Sequence, residues 1–385
     1  MSSALASQNA LEELAQHGIS AAAFDQLLDD QQLNPSGYLG SLVHEAADEF
    51  CDGGSGVHGD AFQLLLSLSE GYNHPQHDID HSCWLDGNLV KALGPVNSEA
   101  RSATAELDAY GHLRFLWSDL APLPCSQSHK TPDFSRGDDL YVEVYCPQVA
   151  DTSVEKIGRD LASAESGGFL VDSEVGSGVS IAITAIHPVI GEPTVNSKNG
   201  ERSDPLSFPA NKTIDRVLSG KRDNDQFVEG KQNILWLDLK HGIPHRVQDI
   251  LPLVSVNKAE QTHVGSVGVW HAFYGDKGVS SFFKERSWLR FNPCGSYLMR
   301  DKQGLFRERR SISAAVVSCV DGNILLENPW AARALAESTR SDMLRIFRFR
   351  PEYSWLAYDG MEELRIRIYS ALSYNEWLIN SGANR

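Results

Sequence analysis

The sequence predicts an α/β protein in which a central mixed sheet is flanked by helices. Apolar runs typical of buried strands, such as NILWLDL and SISAAVVSCV, are interleaved with segments of helical periodicity. Hydrophobic residues make up 42% of the 385 residues, an ordinary fraction for a chain that buries a core. The first strand-like segments follow one another closely and the later ones are separated by helices. We therefore expect both antiparallel and parallel strand pairs.

The helices are predicted from apolar spacing and from capping residues. Two short helices are expected within residues 3–32, and one should run from Asn97 or Ser98 to Tyr110, where Gly111 suits the residue that ends a helix. The other predicted helices are 38–51, 60–70, one opening at Asp151 and Thr152, 212–226, 331–347 and 359–378.

The strands are predicted from alternation and from short apolar runs. LRFLW, TPDF and LYVEVYC follow the helix that ends at Tyr110, and SRGDD supplies the turn between the last two. GVSIAITAIHPVI and NILWLDL are the next strands, and SISAAVVSCV with GNILLENP forms a hairpin. Along the chain these elements divide into a mostly helical region 1–92, an α/β region 93–330 and a helical segment 331–385.

Charge is distributed unevenly along the chain. There are 51 acidic and 34 basic residues, a net charge of −17, and residues 1–100 hold fifteen acidic residues against the single base Lys91. Segment 284–310 instead has eight basic and three acidic residues. Such asymmetry suggests different surfaces with different partners, a protein for the acidic N-terminal region and nucleic acid for the basic segment. The alternative is that both are solvated faces.

The sequence also predicts a cytoplasmic protein without a membrane partner. No apolar run approaches the ~20 residues of a membrane span. The first residues, MSSALASQNALEELAQ, lack the basic and apolar regions of a secretory signal. The six cysteines contain no C-x-x-C pair, which is typical of reduced intracellular thiols.

Two carboxylates are expected to meet where the predicted TPDF and LYVEVYC strands form a hairpin. Alternation in the second strand places Tyr141, Glu143 and Tyr145 on one face. The hairpin brings Asp133 towards Glu143, and two adjacent carboxylates repel unless a cation or proton lies between them. Oxygen ligands of this kind favour magnesium, which can activate water and stabilise charge on a phosphodiester. The alternative is a strand-end turn residue beside an exposed strand residue.

These residues resemble the PD-(D/E)xK nuclease superfamily, which has the restriction-endonuclease-like fold. The motif is Pro132-Asp133 followed by Glu143-Val144-Tyr145, and the order of elements from about 97 to 239 is similar as well. The resemblance implies that residues 93–330 form a nuclease-like domain that cleaves DNA with Mg²⁺ or Mn²⁺. Asp133 and Glu143 would be the metal ligands, and Glu106 on the leading helix would be an additional carboxylate.

The sequence departs from this family at the motif lysine, where Tyr145 stands. A neutral phenol cannot supply the positive charge of a lysine. Lys156 in the following helix is the replacement that the resemblance suggests, and Lys130 is a weaker one. Two other interpretations stay open. The chain is either a catalytically degenerate nuclease fold that binds nucleic acid or protein, or an unrelated α/β protein in which the motif is coincidental.

Basic side chains interleave with aromatic ones around residues 270–310, a pattern that can stack bases and neutralise phosphates. The alternative is core packing beside an exposed turn. The arginines predicted to contact DNA are Arg286, Arg290, Arg307, Arg309 and Arg310.

Overall fold

The structure is a computed structural model of the full chain. It describes residues 14, 36–51, 59–72, 81–124, 131–147, 172–175, 178–180, 226–241, 246–247, 269–275, 280–283, 296–299 and 303–364. The predicted helices within 3–32, near 151 and at 212–226 lie outside these residues, apart from Leu14, which is helical and buried.

Seven α-helices are described. They are α1 (Tyr38–Cys51), α2 (Asp60–Tyr72), α3 (Ser82–Ala92), α4 (Ser98–Leu116), α5 (Val269–Tyr274), α6 (Leu305–Glu308) and α7 (Glu337–Met343). Two short 3₁₀ helices follow at Pro351–Tyr353 and Ala357–Asp359. Asn97 caps α4 as predicted, because its side-chain oxygen accepts a hydrogen bond from the backbone N–H of Ala100 at 2.9 Å.

Ten strands form three sheets in the described residues. They are β1 (Leu120–Pro122), β2 (Phe134–Arg136), β3 (Leu140–Tyr145), β4 (Asp172–Val175), β5 (Gly178–Ser180), β6 (Gln232–Asp238), β7 (Ser280–Phe283), β8 (Ser296–Met299), β9 (Ala314–Cys319) and β10 (Gly322–Glu327). The main sheet has six strands in the order β1-β2-β3-β6-β9-β10, and the pairs β4-β5 and β7-β8 form separate ribbons.

The main sheet is mixed, as the sequence predicts. Its first three strands form an antiparallel meander, β6 is parallel to both β3 and β9, and β10 returns antiparallel to β9. The prediction of an α/β protein with a central mixed sheet flanked by helices is confirmed at this level.

The core lies between one face of the main sheet and the helices α1–α4. Val142 and Val144 of β3 share this face with Ile234 and Trp236 of β6, and all four are buried. The alternate residues Leu235 and Leu237 are also buried, as expected for a strand covered on both faces. Helix α4 contacts α2, α3 and β3, so it is buried around most of its circumference.

The chain divides into two compact units that do not follow its sequential order. One unit comprises Met1–Pro147, Arg222–Asp249 and Phe306–Arg365 and contains the main sheet. The other comprises Gln148–Lys221, Ile250–Leu305 and Ile366–Arg385. The division at residues 92 and 330 runs along the chain and stays a prediction. In the described part of the chain, no helix is both long enough and apolar enough to cross a bilayer.

The prediction that LRFLW is a strand is wrong. Helix α4 continues through this segment to Leu116, and the first strand begins only at Leu120. Gly111 therefore lies within the helix and does not end it. Gly111 instead permits close contact between α4 and α2, because an added Cβ there would overlap the backbone of Gly71 in α2. The glycine allows the two helices to cross with their backbones touching.

The prediction of a helix over 331–347 is also wrong in its extent. The backbone N–H groups of Ala331 and Ala332 donate to the carbonyl oxygens of Asn328 and Arg310, so this segment is a turn. The helix that forms, α7, ends at Met343, and Arg348, five residues further on, has a positive φ of 51°. The predicted helix at 359–378 is described only to residue 364, and residues 360–364 are helical.

We expect Gly111→Ala to destabilise the protein by about 1–3 kcal/mol, because the added methyl group must force α2 and α4 apart. Urea denaturation measures the effect. The matched control is Gly87→Ala in α3, where an added Cβ meets no atom within 4 Å. That substitution should stabilise the protein by roughly 0.5–1 kcal/mol through helix propensity. Equal effects at the two positions would contradict the close crossing.

Candidate active site and a buried ion-pair cluster

Three aromatic rings hold together the elements that carry the predicted site. Trp84 of α3, Tyr110 of α4 and Phe134 of β2 form a triangle with ring centroids 4.8, 5.3 and 5.5 Å apart. Asn88 and Glu106 lie one helical turn from Trp84 and Tyr110. Asp133 directly precedes Phe134. The aromatic packing therefore fixes the positions of three polar residues from three elements.

Asp133 is hydrogen-bonded to the backbone of Val142 and Val144, the residues before and after Glu143. Its N–H donates to the carbonyl oxygen of Val142 at 3.0 Å, and its Oδ2 accepts from the N–H of Val144 at 2.7 Å. The predicted SRGDD turn forms, with Gly137 at a φ of 54°. The hairpin thus brings Asp133 and Glu143 next to each other, and Glu143 is the more deeply buried of the two.

Glu106 of helix α4 lies within electrostatic range of these two residues. Its Oε2 accepts a hydrogen bond of 3.4 Å from the Asn88 side chain. Burial, together with repulsion by the Asp133 and Glu143 carboxylates, raises the pKa of Glu106 from 4.5 to about 8, although Lys91 and Asn88 act in the opposite direction. We call Glu106, Asp133 and Glu143 the carboxylate group. In the absence of a cation, Glu106 holds a proton at neutral pH.

The structure describes some, but not all, of the residues that could replace the motif lysine. Tyr145 is half-buried at the end of β3, beside Leu237 of β6. Lys156 lies outside the described residues, and so does Lys130. Lys91, at the end of α3, is a lysine whose positive charge acts on Glu106. Sequence reasoning missed Lys91, although its position one turn after Asn88 becomes informative once α3 is known to pack on α4.

A second group of polar residues is buried on another side of α4. Asp108 forms an ion pair with Lys240, which follows β6, and both side chains are at most 1% exposed. Asp108 Oδ1 accepts a hydrogen bond of 2.9 Å from Ser67 of α2 and lies 3.1 Å from His112 Nε2. Burial alone would raise the pKa of Asp108, but Lys240 and His112 outweigh it and hold that pKa well below its usual range.

Two further residues at the end of β6 complete this group. One oxygen of Asp238 accepts hydrogen bonds from the backbone N–H groups of Lys240 and His241, at 3.0 and 2.8 Å. His241 Nε2 lies 3.8 Å from Asp108 Oδ2. We call the six residues the Asp108 cluster: Ser67, Asp108, His112, Asp238, Lys240 and His241.

The Asp108 cluster, and not the carboxylate group, contains the tightest set of potential metal ligands. One ligand atom each from Asp108, Asp238 and His241 lies within 4.8 Å of the others. This is the one such set of three found among the described residues, so Glu106, Asp133 and Glu143 do not converge to that degree. Sequence reasoning missed the cluster because its members come from segments far apart in the chain. The local signal available in the sequence was the occurrence of acidic and basic residues together in WLDLKH, at the end of a predicted buried strand.

The arginines predicted to contact DNA are only partly described. Arg286 and Arg290 lie outside the described residues. The guanidinium of Arg307 lies over the ring of Trp330, 4.0 Å from its centroid. Arg309 is half-buried and Arg310 is exposed. Their role in binding nucleic acid stays a prediction.

Comparison with known proteins finds no matching protein family, no matching curated protein and no matching solved structure.

We expect Glu106→Gln to stabilise the protein in alkaline solution and to change little in acid. A carboxyl whose pKa is raised on folding favours the folded state at low pH, and this contribution is lost as pH rises from 4.5 to about 8. Thermal unfolding at about pH 5 and about pH 9 tests this, with a gain on the order of 3 kcal/mol at the higher pH. Glu229→Gln, at an exposed glutamate in the turn before β6, is the control and should keep the wild-type profile.

We expect Lys240→Met to destabilise the protein by about 3–5 kcal/mol, because it leaves Asp108 charged and buried without its ammonium partner. Combining it with Asp108→Asn should recover part of that loss, and urea denaturation of the four proteins gives the coupling energy. Lys231→Met, at the other end of β6, is the control and should cost little. Additive effects of the two cluster substitutions would contradict the ion pair.

Proposed function

We propose that the protein is a magnesium-dependent nuclease that hydrolyses phosphodiester bonds in DNA, with the restriction-endonuclease-like fold. Asp133 and Glu143 would hold the ion, and Glu106 would complete the site. The observation that carries the proposal is that three carboxylates, from α4, the residue before β2 and β3, lie within electrostatic range of one another. Burial and the charges of Asp133 and Glu143 together raise the pKa of Glu106 to about 8, and a cation would relieve the repulsion.

The topology around the site supports this proposal. A leading helix (α4), an antiparallel meander (β1-β2-β3) and a following strand parallel to β3 (β6) occur in the order that the resemblance implies. The motif residues lie in the corresponding places, with Pro132-Asp133 entering β2 and Glu143 within β3.

The donor set suits magnesium because it consists of carboxylate oxygens. A bound Mg²⁺ would lower the pKa of a coordinated water and stabilise negative charge on the phosphate. Asp133 is suited to hold an ion because Val144 fixes one carboxylate oxygen and the rotamer with it. Glu106 would lose its proton when a cation arrives, so ion affinity should rise between neutral and alkaline pH.

Lys91 is the described residue best placed to substitute for the missing motif lysine. Its charge acts on Glu106, and its side chain is half exposed on the last turn of α3. A flexible ammonium there could approach the phosphate or the attacking water. Lys156 remains the alternative that the resemblance suggests.

Two observations favour a second function, a nuclease-like fold that binds nucleic acid or a protein without cleaving it. Tyr145 provides no positive charge at the lysine position, and Glu143 is only 3% exposed, which restricts its access to an ion. A scaffold of this kind would bind its partner without magnesium-dependent turnover.

We expect the purified chain to cleave supercoiled plasmid DNA with Mg²⁺ or Mn²⁺, and Asp133→Asn to lower the rate by more than ~100-fold because a metal ligand is lost. The matched control is Asp138→Asn, an exposed aspartate in the turn of the same hairpin, which should keep full activity. Cleavage that persists in Asp133→Asn would place the activity elsewhere, or in a contaminant.

Tyr145→Lys separates the two proposed functions if the wild-type chain does not cleave DNA. Restored cleavage would mean that the fold is nuclease-like and the natural protein is degenerate. Lys91→Met is the companion variant for an active wild-type chain. We expect it to lower the cleavage rate roughly 10- to 100-fold, as loss of an outer residue of a metal site does, without changing the melting temperature.

A further inference from the structure

The Asp108 cluster has a geometry that the ion pair with Lys240 does not explain. We propose that Asp108, Asp238 and His241 form a buried binding site for a divalent transition-metal ion, with Zn²⁺ as its best occupant. The ligand atoms of these three residues lie within 4.8 Å of one another, and all three side chains are buried.

The first argument is the orientation of the His241 ring. The Tyr38 hydroxyl donates its single hydrogen to the carbonyl oxygen of His241 at 3.1 Å, and the hydroxyl oxygen lies 3.2 Å from His241 Nδ1. Both contacts are hydrogen bonds at the same time only when Nδ1–H donates to the hydroxyl oxygen, which in the neutral ring leaves the lone pair on Nε2. Metal-binding histidines are oriented in this way, by an outer partner that holds the other ring nitrogen.

The second argument is that two polar atoms in the cluster are left without partners. In the described part of the chain, neither Asp238 Oδ2 nor His241 Nε2 has a hydrogen-bond partner, although both atoms are buried. The other oxygen of Asp238 is occupied by two backbone N–H groups, so Oδ2 is the atom left for a ligand. Leaving buried polar atoms without partners is costly, and a metal ion would satisfy both.

The third argument is the charge balance. Lys240 contacts Asp108 and Ser67, at 3.1 Å from the Ser67 hydroxyl, and His112 also lies against Asp108. Asp238 forms no ion pair with a cation among the described residues. Lys240 therefore neutralises Asp108, and a bound metal ion would provide a positive charge beside the Asp238 carboxylate.

The ligand set indicates which ion this would be. One imidazole nitrogen and two carboxylates suit zinc and its neighbours, whereas magnesium prefers oxygen ligands and keeps several waters. Because the site is closed to solvent, a bound ion would be structural. It would join α4 to the segment after β6 and stabilise the folded chain by mass action. The site shares no residue with the carboxylate group, so it can exist whether or not the protein is a nuclease.

The test measures zinc on the full-length wild-type chain, freed of metal by a chelator and then equilibrated with Zn²⁺. We expect one Zn²⁺ per chain by elemental analysis and a rise in melting temperature. Asp238→Asn keeps the Oδ1 acceptor for the two backbone N–H groups and should lose the bound zinc. Tyr38→Phe should weaken zinc binding roughly 10- to 100-fold while preserving the ligands. Asp133→Asn is the control and should bind zinc as the wild type does.

Two outcomes would overturn the zinc site. One is a wild-type chain that binds only a small fraction of an equivalent of Zn²⁺ and shows no change in melting temperature. The other is equal zinc content in Asp238→Asn and wild type. If Asp238→Asn does not fold, the wild-type measurement and the absorption spectrum of the Co²⁺ form decide the question, because Co²⁺ bound by these ligands absorbs in the visible range.

Discussion

The contact of α2 with α4 at Gly71 and Gly111 is the constraint on which both polar groups depend. No side chain separates the two helices there, so residues one turn away meet directly. Ser67, one turn before Gly71, reaches Asp108 and His112, which flank Gly111. Because α4 is held in this position, its other side presents Glu106 to the hairpin. A wider crossing would separate Ser67 from Asp108 and displace Glu106 from Asp133.

Helix α4 connects two groups of polar residues that differ in their electrostatic surroundings. Glu106 and Asp108 are two residues apart, which corresponds to a rotation of about 200° around the helix, so they point in nearly opposite directions. Glu106 meets carboxylates and keeps a proton, whereas Asp108 meets an ammonium and stays charged. The same kind of side chain thus has a raised pKa on one side of the helix and a lowered pKa on the other, and neighbouring charges make the difference.

The sequence predicts local features of this fold better than its long-range contacts. The β2-β3 hairpin follows from alternation in LYVEVY and from the turn residues beside it, and the β9-β10 hairpin follows in the same way. The end of α4 was mispredicted because Gly111 is typical of helix ends, and only the presence of Gly71 explains a glycine within the helix. Asp108 and Lys240 meet across more than a hundred residues, and no local pattern encodes such a contact.

The resemblance to a nuclease family predicted the members of the carboxylate group but not their surroundings. The resemblance pointed to Asp133, Glu143 and Glu106, and these residues lie near one another. It did not anticipate Lys91, which approaches from α3, a helix that precedes the resembling segment. Nor did it anticipate the burial of Glu143, which depends on how β3 is covered and not on the motif itself.

The interleaving of the two units has a consequence for biosynthesis. Strands β3 and β6 are adjacent in the sheet, yet residues 146–231 lie between them, and β9 follows only at residue 314. During synthesis, one edge of β3 therefore stays unpaired until β6 has left the ribosome. One edge of β6 then stays unpaired until β9 emerges. Exposed strand edges are sites of aberrant pairing, so this topology makes the growing polypeptide dependent on delayed closure or on chaperones that cover the edge.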